Sequence, residues 1–320
     1  MSECPQCLAV MYHYVRDTDA NPDGGDGVVA LNPVDFAAQL DRLCAELEPV
    51  DWQRLDDWNH GWANMPERSF LLTFDDGLID HADVVAPILA RRGLRGIFLV
   101  STESIIERRP APAHQLHALL SALGADALHN TLLARLADVS GDRNVLTQAD
   151  RSRIQSIYHY ESPVKAEIKY LIHYKLSSDL RDDLLGQLCA AHVGPPARLA
   201  SRWYLTVDQL GDLQSAGHTI GGHGHRHEPY SRLAPIEQRH DAIRAIGLLT
   251  EHLGAGSRPF SYPFGSVGDS PVHACQEAGF TAAFTTVPAW IDARADRFRM
   301  GRVDTIAVDT FLETHDLCPR

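Results

Sequence analysis

The sequence lacks several features that would point to particular classes of protein. None of its apolar runs approaches the length needed to span a bilayer. Basic residues are in the minority, because 29 Lys and Arg stand against 42 Asp and Glu, which gives a net charge of −13. Nucleic acids and anionic membranes select basic surfaces, so neither is an expected partner.

Cysteine is scarce and scattered. The six cysteines, at positions 4, 7, 44, 189, 275 and 318, do not form the disulfide framework of a small secreted domain. Cys4 and Cys7 have C-x-x-C spacing, but no second pair completes a zinc knuckle, so two free thiols are predicted. No basic segment with a long apolar segment after it stands near Met1, so no secretory signal is predicted and the cytoplasm is the expected compartment.

The chain does contain a repeated order of helix, glycine and short strand. Its 320 residues, 44% of them apolar, are enough for one large α/β domain. Four predicted helices each end at a glycine that precedes an apolar segment; they span residues 83–92, 207–216, 235–253 and 271–278. Repeated units of this kind with short connections predict parallel strands, in a barrel or a doubly wound sheet.

The repeat is interrupted over residues 102–203, after the fourth predicted strand. This stretch is helical in character, and its histidines are His114, His117, His129, His159, His173 and His192. We predict that it is an insertion within a single domain of residues 1–320, forming a lid or a small helical subdomain.

Two adjacent carboxylates follow a predicted buried strand at residues 69–74. They are Asp75 and Asp76, and Gly77 comes next. Neighbouring side chains on an extended backbone point to opposite sides, so one carboxylate can bind a metal while the other transfers a proton. A surface turn is the alternative interpretation, because Asp-Gly is a common turn pair.

Three histidines follow another predicted strand, in the segment Gly221-Gly222-His223-Gly224-His225-Arg226-His227. His223 and His227 are four residues apart, which on a helical turn puts both imidazoles on one face. Two histidines and a carboxylate are a common catalytic metal set that leaves positions open for water and substrate. A solvated polar turn is the alternative for the segment, and it is the favoured interpretation for His225.

A third segment, Tyr262-Pro263-Phe264-Gly265, also stands at the end of a predicted strand. Its proline and glycine shape a loop whose backbone N–H groups could face a reacting carbonyl. Alone it is also compatible with an ordinary turn.

Together the three segments resemble the polysaccharide deacetylases, the family with the NodB homology domain (carbohydrate esterase family 4). Thr73-Phe74-Asp75-Asp76-Gly77 matches the first motif of that family. His223-Gly224-His225-Arg226-His227 matches the second in its two histidines, although Gly224 stands where Ser or Thr is usual. Tyr262-Pro263-Phe264-Gly265 matches the end of the third, and the opening Val10-Met11-Tyr12-His13 is similar too.

The resemblance implies a distorted (β/α)7-type barrel and metal-dependent removal of acetyl groups from N-acetylated sugars. It implies that Asp75 is the general base and that the backbone N–H of Phe264 binds the oxyanion. The implied ligands of one divalent ion, with Zn²⁺ expected, are Asp76, His223 and His227. The expected substrate contacts are His13, Tyr262 and Phe264. The expected partner is an N-acetylated carbohydrate, and a homo-oligomer is left open.

Two positions depart from the family pattern. An Arg that orients the base normally opens the third motif, but Ser261 stands in its place and Arg258 is out of register. The family's general acid is a His in a Leu-x-x-His setting, which only His315 offers, with poorly matching flanks. Other candidates for the proton donor are His13, His117 and His81, the last of which is expected on the surface.

Three functions are therefore compared. The main hypothesis is a zinc-dependent N-deacetylase of an acetamido sugar or glycoconjugate, with a cytoplasmic intermediate preferred as substrate. The second is a hydrolase of a non-sugar amide or cyclic imide. The third is an inactive carbohydrate-binding homologue, against which the intact Asp75, Asp76, His223 and His227 argue.

Overall fold

Parallel strands organise the chain. The computed structural model describes residues 5–17, 28–140, 146–159 and 161–315. Its strands are β1 (Gln6–Tyr12), β2 (Glu48–Pro49), β3 (Arg68–Asp76), β4 (Ile97–Val100), β5 (Thr219–Gly222), β6 (Pro259–Ser261), β7 (Ala282–Phe284) and β8 (Val303–Asp304). They form one sheet in the order β7-β6-β5-β4-β3-β1-β8, with β2 beside β3, and every pair of strands is parallel.

Helices connect the strands, as the repeated glycine-ended units predict. They are α1 (Pro33–Glu46), α2 (Trp52–Asn59), α3 (Ala86–Arg91), α4 (Thr102–Ile106), α5 (Pro112–Leu123), α6 (Ala125–Ser140), α7 (Gln148–Ile157), α8 (Pro163–Tyr170), α9 (Ser178–His192), α10 (Pro196–Trp203), α11 (Val207–Ser215), α12 (Pro235–Leu253), α13 (Asp269–Ala278) and α14 (Val308–His315). The sheet curls into a half-barrel, which confirms the predicted distorted (β/α) barrel.

Local sequence explains where these helices begin. Asn32 caps α1 by accepting a hydrogen bond from the backbone N–H of Val34 at 2.9 Å. Thr206 and Gln209 form a capping box at the start of α11. The helix predicted over residues 83–92 instead opens as a π-helical turn, His81–Val85, before α3. Pro87 has no N–H to donate to the carbonyl of residue 83, so regular α-helical bonding is interrupted there.

Strand β3 lies between β1 and β4 and is almost entirely buried. It is longer than predicted, because Asp75 and Asp76 pair with Leu99 and Val100 of β4 and so belong to the strand. Since parallel strands share one direction, their carboxyl ends meet at one edge of the sheet. This edge brings together the segments that follow β1, β3, β5 and β6.

The chain divides into two compact units. The first comprises Met1–Arg16, Leu31–Arg108 and Ser201–Arg320, and the second comprises Asp17–Ala30 and Arg109–Ala200. The second unit holds most of the insertion predicted over residues 102–203, whose action as a lid stays a prediction. Within the described ranges, no helix has both the length and the apolar character needed to cross a membrane.

The cysteines of the described residues carry no disulfide. Cys7 is buried in β1 as a free thiol, and burial raises its pKa to about 12. Cys44, Cys189 and Cys275 are also free thiols. Cys4 and Cys318 lie outside the described residues, so the predicted pair Cys4 and Cys7 is described at one member only.

Candidate active site

Three side chains with metal-binding atoms converge at the carboxyl edge of the sheet. Asp76, His223 and His227 are all buried, and each offers a ligand atom within 4.8 Å of the others. The Nε2 atom of His227 lies 3.1 Å from Oδ1 of Asp76, and Nε2 of His223 lies 3.5 Å from the same oxygen. The structure thus brings together the two distant segments in which the sequence predicts ligands.

The backbone at this edge is held in an unusual conformation. Asp76 has a φ of 76°, His227 of 54° and Phe264 of 58°. The left-handed region costs a residue with a side chain about 1–2 kcal/mol relative to the ordinary regions. Strained residues cluster at functional sites, where the surrounding structure over-determines them.

The residues present fit a divalent cation. The Nδ1 atom of His223 lies 2.9 Å from the carbonyl oxygen of Ser261, to which it donates, so Nε2 keeps the lone pair that faces Asp76. Two imidazole nitrogens and one carboxylate are the donors that catalytic Zn²⁺ sites use, and a three-residue set leaves a position open.

The surroundings of His223 and His227 shift the pKa values of the two imidazoles differently. Burial lowers the pKa of His223 to about 4 despite the nearby carboxylates, so this imidazole is neutral at neutral pH. Burial also acts to lower the pKa of His227, but the hydrogen bond and charge of Asp76 outweigh it and raise that pKa above its usual value. The two histidines shift in opposite directions because His227 is closer to Asp76 and forms the stronger bond with it.

Asp75 belongs to a separate network beside the three ligand candidates. Its carboxylate is 1% exposed and receives two hydrogen bonds from Arg302, one of 2.7 Å to Oδ1 and one of 2.7 Å to Oδ2. Ser261 Oγ donates to Oδ1 at 3.2 Å. Burial acts to raise the pKa of Asp75, but the charges of Arg302 and His223 and the bonds from Arg302 lower it to about 2. Asp75 is therefore an ionised carboxylate at any ordinary pH.

Arg302 is the residue that sequence reasoning missed. It is fully buried just before β8, where Nε donates to the carbonyl of Thr285 and Nη1 donates to Thr73 Oγ1. The resemblance led us to expect an arginine at position 261, and this one comes from a different part of the chain. The sequence signal is weak, since only an arginine directly before a two-residue strand marks it.

Two residues near the third motif, Arg258 and Tyr262, use their side chains to bind backbone carbonyl groups. The guanidinium of Arg258 donates to the carbonyls of Ile220 and Gly254, at 2.9 and 2.7 Å, and so supports the backbone. The side chain of Tyr262 is fully buried, and its hydroxyl donates to the carbonyl of Phe298 at 3.0 Å. The side chain of Tyr262 therefore packs in the core, and the predicted substrate contact by Tyr262 stays a prediction.

Phe264 does reach the surface beside the ligand candidates. It lies in the short 3₁₀ turn Pro263–Gly265, its side chain is 37% exposed, and its ring centroid is 5.1 Å from that of His227. An exposed aromatic ring at this place is available to an incoming molecule, and the predicted substrate contact by Phe264 stays a prediction.

The four histidines named as proton-donor candidates have different surroundings. His13 is half-buried and follows β1, where Tyr12 pairs with Phe74, so it lies level with Asp75. His81 is fully buried against Phe74 and Phe98, which shows that the expected surface position was wrong.

The Nε2 atom of His81 lies 3.1 Å from the carbonyl of His13, and burial lowers the His81 pKa to about 4. His81 thus supports the backbone of His13. His117 belongs to the second unit, where its ring lies 5.9 Å from that of His114. The side chain of His315 lies outside the described part of the chain.

Comparisons with known proteins find one family model and several solved structures that are similar to the chain. A family model described as polysaccharide deacetylase matches residues 187–283. The deacetylase PplD of Streptococcus pyogenes, solved in complex with acetate, is 14% identical with a TM-score of 0.58, over 94% of this chain and 92% of that chain. IcaB from Ammonifex degensii is 16% identical with a TM-score of 0.58, over 98% of this chain and 96% of that one.

The de-N-acetylase from Aggregatibacter actinomycetemcomitans is 15% identical with a TM-score of 0.59, over 96% of this chain and 100% of that one. At such identities the likeness establishes the fold. No curated protein sequence is significantly similar to the chain.

Proposed function

We propose that the chain belongs to the polysaccharide deacetylase family, whose model matches residues 187–283, and that it is a metal-dependent N-deacetylase. It hydrolyses the acetamido group of an N-acetylated sugar, oligosaccharide or glycoconjugate and releases acetate. The observation that supports this most directly is an ionised, arginine-bound carboxylate, Asp75, next to the cluster of Asp76, His223 and His227. A general base beside a cation site is the arrangement that metal-assisted hydrolysis of an amide uses.

Asp76, His223 and His227 would hold one divalent ion, with Zn²⁺ expected from the donor set. When bound, the ion supplies a Lewis acid for the acetamide carbonyl and lowers the pKa of the attacking water. The hydrogen bond from His223 Nδ1 to the carbonyl of Ser261 holds that imidazole in the tautomer that ligation needs.

Asp75 takes the proton of the attacking water. Arg302 and Ser261 hold both of its oxygens in place, so the base approaches the water in one orientation. A carboxylate with a pKa of about 2 is always ionised but is a weak base, so it works only on a water of lowered pKa.

Attack of the water on the carbonyl carbon gives a tetrahedral oxyanion. The backbone N–H of Phe264 donates a hydrogen bond to this oxygen, as the family resemblance implies. Collapse of the intermediate breaks the C–N bond and requires a proton on the leaving nitrogen.

His13 is the donor we assign for that proton. It lies at the carboxyl edge of the sheet, level with Asp75, and its backbone is held by His81. His81 is disfavoured as donor because its Nε2 is engaged by the carbonyl of His13 and burial lowers its pKa to about 4. Acetate and a free amine are then the two products.

The test is a screen for acetate release from acetamido sugars, sugar nucleotides and short oligomers, with and without a chelator. The Asp75→Asn variant serves as the control for contaminating activity. Acetate release that the chelator abolishes and Zn²⁺ restores supports the proposal. Hydrolysis of amides or cyclic imides with no activity on any acetamido sugar would contradict it and favour the second hypothesis.

A further inference from the structure

The loop between the two histidine ligands, residues 223–227, is held along its carbonyl groups by the start of α4. Ser101 Oγ and the backbone N–H of Glu103 both donate to the carbonyl of His225, each at 3.0 Å. The backbone N–H of Thr102 donates to the carbonyl of Gly224 at 3.3 Å. These bonds fix the direction of two successive peptide groups in the ligand loop.

The side chain of His225 takes part in the same contact. Its Nδ1 atom lies 2.9 Å from Thr102 Oγ1, and the residue is half-buried. His225 therefore packs against α4, whereas a solvated turn was the favoured interpretation. The middle histidine helps to hold the ligand loop.

The N–H groups of the ligand loop point the other way, toward a buried carboxylate of α12. Asp241 is 8% exposed and accepts from the backbone N–H of His225 at 2.8 Å and from that of Arg226 at 3.0 Å. The hydroxyl of Tyr230 donates a third bond to it at 2.9 Å. A carboxylate that accepts several such bonds makes a strong, directional anchor.

Gly224 shows how closely Asp241 approaches the loop. This glycine has a φ of +73°, and a Cβ atom built on it would lie 3.0 Å from Oδ2 of Asp241. A side chain here would press against the carboxylate in a backbone conformation that already disfavours it. The resemblance leads us to expect Ser or Thr at position 224. The glycine found there leaves room for the carboxylate of Asp241.

We propose that Asp241 is a positioning residue for the metal site. It does not touch the ligand atoms; it holds the peptide groups between His223 and His227, and so keeps both Nε2 atoms directed at Asp76. His227, at φ 54°, would otherwise relax toward an ordinary conformation and carry its imidazole away. This inference rests on the proposed function, because it concerns the same metal site.

The test compares Zn²⁺ affinity in wild type, Asp241→Asn and Tyr230→Phe, measured by competition with a chromophoric chelator. The amide of Asn has only one acceptor oxygen, so one of the two loop N–H groups loses its partner. We expect Asp241→Asn to bind Zn²⁺ about 10–100-fold more weakly. Tyr230→Phe keeps both bonds from the loop to Asp241 and should stay within about threefold of wild type, since it removes only the bond from the hydroxyl.

Two further readouts separate positioning from general stability. The absorption spectrum of the Co²⁺-loaded protein should change in Asp241→Asn and stay as in wild type in Tyr230→Phe. In metal-free wild type, the amides of His225 and Arg226 should be protected from hydrogen exchange, because Asp241 holds them before an ion binds; this measurement needs no variant to fold.

Three outcomes would overturn the inference. Unchanged Zn²⁺ affinity and Co²⁺ spectrum in Asp241→Asn would remove Asp241 from the metal site and leave the proposed function intact. Free exchange of both amides until Zn²⁺ is added would show that the loop is not preformed. Failure of wild type itself to bind Zn²⁺ would overturn the proposed function and this inference together.

Discussion

Arg302 reaches Asp75 across 227 positions of sequence and binds both of its carboxylate oxygens at 2.7 Å. Both side chains are almost fully excluded from solvent. A buried carboxylate without such a partner would take up a proton, because burial favours the neutral acid. The ion pair with Arg302 therefore keeps Asp75, the proposed base, ionised. The two hydrogen bonds also hold the carboxylate in one orientation.

Replacing Arg302 by Met should weaken catalysis and move its pH dependence. Burial, the largest influence on Asp75, raises its pKa, so without Arg302 the folded-state pKa of about 2 must rise. A general base is active above its pKa, so the acid limb of the kcat/KM profile should move to higher pH. At neutral pH we expect a loss of about 10²-fold or more.

The control for this variant is Arg302→Lys, which keeps the charge but loses the bidentate bond. It should show a smaller shift of the acid limb than the Met variant. Removing one partner of a buried pair costs about 3–5 kcal/mol, so thermal unfolding is followed in parallel. An acid limb that stays in place in folded Arg302→Met would contradict the role given to this pair.

Replacing Asp75 by Asn should abolish turnover while leaving the metal in place. The proposed ligands are untouched, and loss of a general base typically costs about 10²–10⁴-fold in rate. Acetate release and elemental analysis of the purified variant measure the two properties separately. A variant with the wild-type rate would show that the base assignment is wrong.

Replacing His223 or His227 by Ala should lower the content of bound metal. Each change removes one of three donors and leaves a set too small for a stable Zn²⁺ site. His252→Ala is the control, since His252 is an exposed histidine of α12 that lies outside the cluster. If the His223 or His227 variant retains one ion per chain as tightly as wild type, that residue is not a ligand.

Replacing Tyr262 by Phe should leave kcat/KM unchanged within about twofold and lower stability. The hydroxyl bonds the carbonyl of Phe298 inside the core, so its loss leaves a buried acceptor without that bond, at a cost of about 1–3 kcal/mol. Chemical denaturation and steady-state kinetics give the two quantities. A large rise in KM with unchanged stability would restore Tyr262 as a substrate contact.

Much of the fold and part of the site could be predicted from local sequence. Asn32 and Thr206 mark helix starts because their side chains accept hydrogen bonds from backbone N–H groups two or three residues further along the chain. A short window of sequence is sufficient to predict such contacts. Asp75 and Asp76 follow an apolar run that is buried wherever the strand packs. The spacing of His223 and His227 is likewise a property of five consecutive residues.

Contacts between distant segments were not predictable in the same way. No pattern within any short window of sequence links Arg302 to Asp75 or Asp241 to the ligand loop. The burial of the two histidines was not predictable either. His81 is fully buried although the local pattern suggested the surface, whereas His13 is half-buried. Such assignments depend on which strands become neighbours, and neighbours are chosen by the packing of the whole sheet.

The sequence alone determined the chemical groups of the candidate site, since the order of residues along the chain specifies the identity and spacing of its two carboxylates and two imidazoles. Only the tertiary structure decided which arginine pairs with Asp75 and which carboxylate holds the ligand loop. The physical reason is that a charge in a low-dielectric interior must find a partner in space, and the parallel sheet sets which segments lie within reach.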